Sequence, residues 1–149
     1  MLTDIQILPS DKIDKSRWDN CVLTDSRAKC YSLSVFLDHL SDHWMGVVIR
    51  DYEAVVPLPY KYLGIKMLYT PPFIQHLDIA GRYSAADVNN IWQIIYQQFK
   101  LGHYKCSQSL IGTHTDVQRR LNLIIDLNQP YEVIQQRYTK ACKRNLAKS

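Results

Sequence analysis

The segment QHLDIAGR, at residues 75–82, has the composition of a binding loop. It lies just before Ser84, where apolar residues begin to recur at helical spacing. The free N–H groups at the start of a helix favour anions. Asp78 opposes an anion because it is itself negative, whereas Gly81 and Arg82 favour one. The segment therefore predicts either an anion-binding loop or an ordinary connection in which Asp78 accepts hydrogen bonds from nearby backbone N–H groups.

A second candidate is a group of basic residues near the end of the sequence. Residues 1–129 hold 13 basic and 13 acidic side chains, whereas residues 130–149 hold five and one, so the last twenty residues carry the whole net charge, 5 − 1 = +4. Such an excess of positive charge could bind the phosphate groups of a nucleotide-linked substrate or of tRNA. It could also be a solvated helix face, or a face paired with acidic residues of a partner. On one continuous helix, four of these side chains fall on one arc, named here the basic arc: Arg137, Lys140, Arg144 and Lys148.

Metal and redox chemistry receive little support from the sequence. The four cysteines are widely spaced without a CxxC pair, and the five histidines form no zinc-type spacing with them. Free thiols are typical of a reducing cytoplasm. No apolar run approaches the length of a membrane span, and the N-terminus lacks the pattern of a signal peptide. We therefore expect a cytoplasmic protein with no metal and no membrane partner.

The elements that must position these residues follow from hydrophobic periodicity. Short connections predict an antiparallel meander over residues 44–70. The whole order predicts an α/β (α+β) domain, a mixed and mainly antiparallel sheet flanked by helices, at residues 1–128, followed by a basic helix at 129–149. Strands are expected at 3–8, 44–50, 54–63, 65–70, 104–110 and 120–127, one helical turn within 113–118, and helices at 10–21, from 34, at 84–101 and from 130.

Several residues have specific structural roles in this scheme. Ser10 and Ser34 are expected to cap the first two helices, and Ser84 with Asp87 forms a capping-box pattern. Pro57 and Pro59 cannot donate to a ladder, so their part of the second meander strand must be an edge, a bulge or a splayed end. The inward faces predicted for the first, second and last helices are Trp18, Cys21 and Val22; Phe36, Leu37 and Leu40; and Tyr131, Ile134, Tyr138, Ala141 and Cys142.

The order of elements, with the QHLDIAGR loop between the third meander strand and a capped helix, resembles the GNAT (acyl-CoA N-acyltransferase) fold. GNAT enzymes carry the motif Q/R-x-x-G-x-G/A there, whose backbone amides hold the diphosphate of coenzyme A. The matching residues are Gln75, Asp78 and Ala80, with Gly81 and Arg82 just beyond. The first and last positions fit, while Asp78 stands at the glycine position. Two-half enzymes often lose the cofactor site in one half, and Asp78 is what such a loss would produce.

The C-terminal sequence RLNLIIDLNQPYEVIQQRYTKACKRNLAKS is similar to FemAB-type aminoacyltransferases, in which a strand ending in Asp-Leu leads to a helix carrying Arg-Asn-Ile/Leu-x-Lys-Ala. Those proteins consist of two GNAT-like halves and use aminoacyl-tRNA or other activated acyl donors, acyl-CoA among the candidates. The resemblance implies that this chain is the first half and that a second GNAT-like half is its missing partner. The chain also stops within a basic, strongly helical segment, which predicts continuation.

If GNAT chemistry applies, a base must accept the proton of an amine, and donors must polarise the acyl carbonyl. Tyr69, His76 and Asp78 lie near the expected cleft, but each has an ordinary alternative as a rim, surface or connection residue, so the catalytic residues stay unassigned. Cys106 has no cationic neighbour except Lys105 in sequence, which argues against a nucleophile.

Three functional hypotheses follow. The first is the N-terminal half of a FemAB-type acyl or aminoacyl transferase, without catalytic activity alone. The second is a binding module whose basic C-terminal helix docks nucleic acid or a protein partner. The third is a structural half that shapes the cleft of its partner domain. An uncovered last helix also predicts either that its last turns fray or that they are covered in a dimer formed through that helix.

Overall fold

The computed structural model describes residues 4–107, 110, 118, 120–121 and 126–148. The chain divides into two units, Met1–Val117 and Gln118–Ser149. The described residues form a mixed α/β fold with a mostly antiparallel sheet, which confirms the predicted fold class. Its strands are β1 (Ile5–Pro9), β2 (His43–Ile49), β3 (Ala54–Tyr62), β4 (Lys66–Tyr69), β5 (Ala80–Gly81) and β6 (Leu101–His103), and its helices are α1 (Lys15–Thr24), α2 (Ser34–Leu40), α3 (Ala85–Gln98), α4 (Tyr131–Gln136) and α5 (Lys140–Leu146).

The sheet has the order β1-β2-β3-β4-β6. The meander β2-β3-β4 is antiparallel, as its short connections predict, whereas β4 and β6 are parallel. β2 pairs with one edge of β3 over residues 54–60, and β4 and β5 both pair with the other edge, at residues 60–62 and 54–55 of β3. β4 and β5 therefore lie in line, and residues 70–79 form an excursion between them.

The two prolines of β3 lie opposite this excursion. Among the described residues, no strand pairs with that edge of β3 between 56 and 59. The Tyr104 hydroxyl donates instead to the Pro57 carbonyl at 2.7 Å. Because the nitrogen and carbonyl of one strand residue face the same edge, the missing N–H groups of Pro57 and Pro59 fall where no ladder partner needs them. Of the three predicted alternatives, an edge, a bulge or a splayed end, the structure shows a local edge at residues 56–59 of a strand that pairs with β2 on its other side.

Side chains alternate across the sheet and form two cores. Val47, Val56 and Ile91 belong to the core on the α3 side. Val48, Val55 and Trp18 belong to the core on the side of α1 and α2. Trp18, Cys21 and Val22 are buried as predicted.

The first two helices begin differently from the prediction. α1 is capped by Asp14, whose carboxylate accepts from the Arg17 N–H at 3.1 Å, while Ser10 lies in a short 3-10 turn at Ser10–Lys12. Ser34 is already helical and Leu33 occupies the cap position of α2; the Ser34 N–H and hydroxyl both donate to the Asp19 carboxylate, at 2.6 and 2.7 Å.

The inward face of α2 is also narrower than predicted. Leu37 is fully buried and Leu40 half-buried, but Phe36 is exposed. Phe36 directly precedes Leu37 and therefore lies about 100° away from it around the helix.

The end of α3 and the start of β6 correct two further predictions. α3 ends at Gln98 rather than at residue 101, and the strand expected at 104–110 lies at Leu101–His103, paired with Met67–Tyr69. Gly102 does not end the helix. A Cβ at Gly102 would lie 2.7 Å from the Cβ of Leu68, so its missing side chain allows the two strands to approach.

The described residues of the second unit form two helices instead of the single predicted one. The backbone leaves the helical conformation at Thr139, whose Oγ1 accepts from the Cys142 N–H at 3.2 Å and caps α5. Because Thr favours a cap over a helix interior, it ends one helix and begins another. Of the expected turn at 113–118 only residue 118 is described, and the middle of the expected strand at 120–127, residues 122–125, lies outside the described residues. No helix in the described part of the chain is long and apolar enough to cross a membrane.

Candidate functional site

Three backbone amides of the 75–82 segment bind oxygen atoms of the protein itself. The Leu77 N–H donates to the Lys105 carbonyl at 2.8 Å, and the Arg82 N–H donates to the Glu53 carbonyl at 2.8 Å. The Gly81 N–H donates to the Asp25 carboxylate at 2.9 Å. These three amides are therefore not directed at a space where a diphosphate would lie.

Asp78 has a structural role in this segment. One carboxylate oxygen accepts from the Ser107 N–H at 2.9 Å, and the other lies 3.5 Å from Nε2 of His76. This contact corresponds to the alternative in which Asp78 binds nearby backbone N–H groups. Of the other residues assigned to a cofactor site, Ala80 is buried, Gly81 is half-buried, and Gln75 and Arg82 are exposed.

The N-terminus of α3 already has a negative charge beside it. The Ser84 hydroxyl accepts from the Asp87 N–H, and the Asp87 carboxylate accepts from the Ser84 N–H at 2.8 Å, which confirms the predicted capping box. Burial opposes ionisation of Asp87, but the bonds from Ser84 and from the Arg50 guanidinium outweigh it and hold the pKa of this carboxyl below its usual value. An external anion at this helix end would compete with a buried carboxylate.

The turn between β2 and β3 lies at the same end of the sheet as the start of α3. Arg50, Asp51 and Tyr52 all have positive φ angles, of 43°, 58° and 71°. Left-handed backbone is unfavourable for residues with a side chain and persists only where the surroundings impose it. Three successive residues of this kind indicate a turn that is fixed by tertiary contacts.

Those contacts come from distant parts of the chain. The Arg50 N–H donates to the Asp4 carbonyl, and its guanidinium donates to Asp87 and to the Arg82 carbonyl. Arg17 donates to the side chain and the carbonyl of Asp51 at 2.7 and 2.8 Å. Arg50 therefore connects the turn, the 75–82 segment and the start of α3.

An open groove of about 470 Å³ lies beside this turn on the first unit. Its cationic and acidic side chains are paired: Arg27 contacts Asp25 at 2.7 Å, and Arg82 lies 4.0 Å from Glu53. The groove is therefore polar without an excess of either charge. Its lining residues are Asn20, Cys21, Thr24, Asp25, Ser26, Arg27, Tyr52, Glu53, Gly81 and Arg82.

The network of ion pairs and hydrogen bonds around the β2–β3 turn was not identified from the sequence. Asp25, Arg27 and Arg50 lie in polar connections or at a strand end, and no local pattern distinguishes them from solvated residues. Arg27 lowers the pKa of Asp25 to about 2, and the N–H groups of Arg27 and Gly81 add to this effect. The positive φ of Gly81 is a property of the folded chain, so it was not a signal that the sequence provided.

The candidate catalytic residues make ordinary structural contacts. The Tyr69 hydroxyl accepts from the Asp42 N–H at 3.0 Å, and the His76 ring lies edge-on to Tyr31. Burial raises the pKa of the Cys106 thiol to about 11, with a further contribution from Asp78. This thiol stays protonated near neutral pH, which argues against a nucleophilic role. No group of three potential metal ligands occurs among the described residues.

The basic arc does not lie on one helix. Arg137 follows α4, Lys140 and Arg144 lie on α5, and Lys148 follows α5. All four side chains are exposed, and no described carboxylate lies within 4.0 Å of them. The predicted apolar face of this segment is exposed or half-buried, and none of its members is buried.

No protein-family model, no curated protein and no solved structure matches this chain. The contacts of its own residues are therefore the basis for any functional inference.

Proposed function

We propose that this chain is the N-terminal, GNAT-like half of a FemAB-type acyl or aminoacyl transferase and that it does not catalyse transfer alone. In support, two helices connect the first two strands, an antiparallel meander follows, and a capped helix leads from the 75–82 segment to a strand parallel with β4. In the proposed enzyme a second GNAT-like half supplies the acyl-donor site, for acyl-CoA or aminoacyl-tRNA. A cytoplasmic location belongs to the same proposal, and the four free thiols favour it.

The observation that carries the proposal is the closed state of the 75–82 segment. The amides of Leu77, Gly81 and Arg82 bind protein oxygens, and Asp78 fixes the Ser107 backbone. A diphosphate would have to displace several internal hydrogen bonds and approach two carboxylates, Asp78 and Asp87. We therefore expect this half to bind coenzyme A weakly or not at all.

Isothermal calorimetry with acetyl-CoA tests this expectation on three proteins: wild type, Asp78→Asn and Asp78→Gly. Asp78→Asn removes the charge and keeps an oxygen that can accept from Ser107. Because the amides remain engaged, neither substitution should produce tight binding. Micromolar binding by wild type would contradict the proposal. A large gain in Asp78→Asn would show that charge alone closes the site, which would overturn our assignment of the amides.

A second candidate function is nucleic-acid binding through the basic arc. The exposure of Arg137, Lys140, Arg144 and Lys148, without described ion pairs, favours it. Unpaired basic side chains on a surface attract phosphates, and the resulting affinity falls steeply with salt. The same exposed segment is also where a dimer contact or the second half would lie.

Fluorescence anisotropy with tRNA over a salt series tests nucleic-acid binding by the basic arc. Arg144→Ala with Lys148→Ala should weaken binding and reduce the log–log salt slope by about 1.5 to 2. The matched control is Lys29→Ala with Lys100→Ala, which removes the same charge from exposed positions of the first unit. An equal effect of both pairs would indicate non-specific attraction. Wild-type binding that is independent of salt would exclude this function.

A further inference from the structure

The turn between β3 and β4 is an exposed apolar tip, named here the hairpin tip and formed by residues 62–65. The side chains of Tyr62, Leu63 and Ile65 are 62%, 70% and 42% exposed. A Cβ placed on Gly64 would meet no atom within 4 Å, so the tip is surrounded by open space. The Leu63 N–H donates to the Ile65 carbonyl at 3.0 Å, which closes the turn and keeps these side chains at its end.

Two lysines lie at the base of the hairpin tip. Tyr62 pairs with Lys66, and Lys61 pairs with Met67, so Lys66 and Lys61 project from opposite faces of the hairpin. Lys61 lies 3.5 Å from Asp42, and both side chains are about half exposed. Such an exposed pair contributes little and exchanges readily for another anion. Each lysine is two or three residues from Gly64, which is about 7–10 Å along an extended strand.

We propose that the hairpin tip inserts into an anionic lipid surface, with Lys61 and Lys66 against the headgroup phosphates. The spacing along the strands suits this arrangement, because peripheral segments bury their apolar side chains about 5–10 Å into the boundary between headgroups and acyl chains. It requires the Lys66 ammonium to turn away from the Met45 sulfur, 3.7 Å distant, and the Lys61 ammonium to exchange Asp42 for a phosphate. Lysines near the surface add attraction to anionic lipids, and tyrosine is suited to the membrane interface.

The shape and size of the hairpin tip favour lipid over a protein partner. Three apolar side chains on a convex turn offer far less area than the roughly 800 Å² per partner of a standard protein interface. A fluid lipid surface requires no matching cavity. This proposal departs from the expectation of no membrane partner, which was based on the lack of a span-length apolar run and of a signal-peptide pattern.

Vesicle co-sedimentation of the full chain tests the proposal, with phosphatidylcholine alone and with about one third phosphatidylserine. We expect binding to the anionic vesicles and much weaker binding to the neutral ones. Leu63→Ser with Ile65→Ser should reduce it by roughly tenfold or more, since two partly buried aliphatic side chains are lost from the lipid. Lys61→Gln with Lys66→Gln should remove most of the preference for anionic vesicles.

Two controls identify the responsible surface. Leu23→Ser changes a side chain as exposed as Leu63, at 71% against 70%, near the opposite end of the sheet, and should leave binding unchanged. In a background carrying Arg144→Gln and Lys148→Gln, the substitutions in the hairpin tip should still reduce vesicle binding by the same factor.

Absence of vesicle binding would overturn the proposal, as would binding that depends on the basic arc and not on the hairpin tip. Light scattering provides a further check. If the tip substitutions abolish a concentration-dependent dimer and leave vesicle binding unchanged, the hairpin tip is a protein contact and the lipid proposal is wrong. Circular dichroism confirms that each variant is folded, which is expected because the altered side chains are exposed.

Discussion

The two turns at the ends of β3 differ in what holds them. At one end, Arg50, Asp51 and Tyr52 adopt left-handed backbone within a network from β1, α1 and α3. At the other end, residues 62–65 close through one backbone hydrogen bond and project into open space. Both connections are short and join antiparallel neighbours of the same strand. Their different surroundings indicate that one end is fixed and the other is available for contact.

The space around two glycines, one near each turn, shows the same difference. Gly81, beside the β2–β3 turn, and Gly64, in the hairpin tip, both have positive φ, at 92° and 77°. A Cβ on Gly81 would lie 2.1 Å from the Glu53 carbonyl oxygen and 2.8 Å from the Cys21 sulfur. The two positions therefore share a left-handed backbone that would strain any residue with a Cβ, but only Gly81 is also crowded.

The largest predicted effect is that of Gly81→Ala. It should lower the free energy of unfolding by about 3 kcal/mol, because strain and steric overlap add. Gly64→Ala should cost only about 1 kcal/mol, from strain alone. Urea denaturation of both variants measures the difference. Equal losses would contradict the contrast between a crowded and an open end.

The next effect concerns the buried carboxylate of Asp87. Asp87→Ala should lower the free energy of unfolding by about 2 to 3 kcal/mol, since it removes the carboxylate half of the capping box and with it the acceptor of the Ser84 N–H and one acceptor of Arg50. Asp87→Asn keeps the shape and one acceptor and should cost less. Chemical denaturation provides the comparison, and a loss for Asp87→Ala no larger than that of an exposed substitution would show that the network does not hold this end.

The fixed end should also make stability sensitive to acid. The pKa of Asp25 is lowered to about 2, first by Arg27, and the pKa of Asp87 is also lowered. A carboxyl with a depressed pKa in the folded state contributes stability above its unfolded pKa of about 4, and this contribution is lost as pH falls through the folded value.

The loss should therefore run from about pH 4 to about pH 2. Urea denaturation over this range tests it, with Asp25→Asn as the variant whose acid dependence should be flatter. An unchanged dependence in Asp25→Asn would remove Asp25 from the explanation.

The smallest effect is expected at the free end. Leu63→Ser should change the free energy of unfolding by no more than about 0.5 kcal/mol, since the side chain has little native contact to lose. Thermal denaturation measures this, with Leu23→Ser as the equally exposed control. A large loss for Leu63→Ser alone would show that the hairpin tip packs against something and is not free.

Local patterns were sufficient where neighbouring residues decide the conformation. The short connections predicted the antiparallel meander, and Ser84 with Asp87 predicted the start of α3. They failed where a distant partner competed. Ser34 was expected to act as a cap but binds Asp19, and Gly102 was expected to end a helix but lies against Leu68 in a strand. Thr139 was placed inside a helix although its side chain caps a new one.

The candidate sites show the same division. The residue types of the 75–82 segment were evident from the sequence, together with the opposing charge of Asp78. Whether its amides were free depended on Lys105, Asp25 and Glu53, which are remote in sequence. The exposure of the hairpin tip was likewise hidden, because KYLGIK also fits a strand turn covered by another element.

The sequence by itself determined the antiparallel meander, the mixed α/β class, the lack of ladder donors at Pro57 and Pro59 and the concentration of positive charge in the last twenty residues. These properties depend on periodicity, on a missing N–H group and on counting, all of which are local. Only the tertiary structure decided which amides are occupied, which carboxylates are buried and which turn stays bare. Those properties depend on pairs of groups that are far apart in the chain, such as Arg50 with Asp87, and such pairs form only when packing brings their elements together.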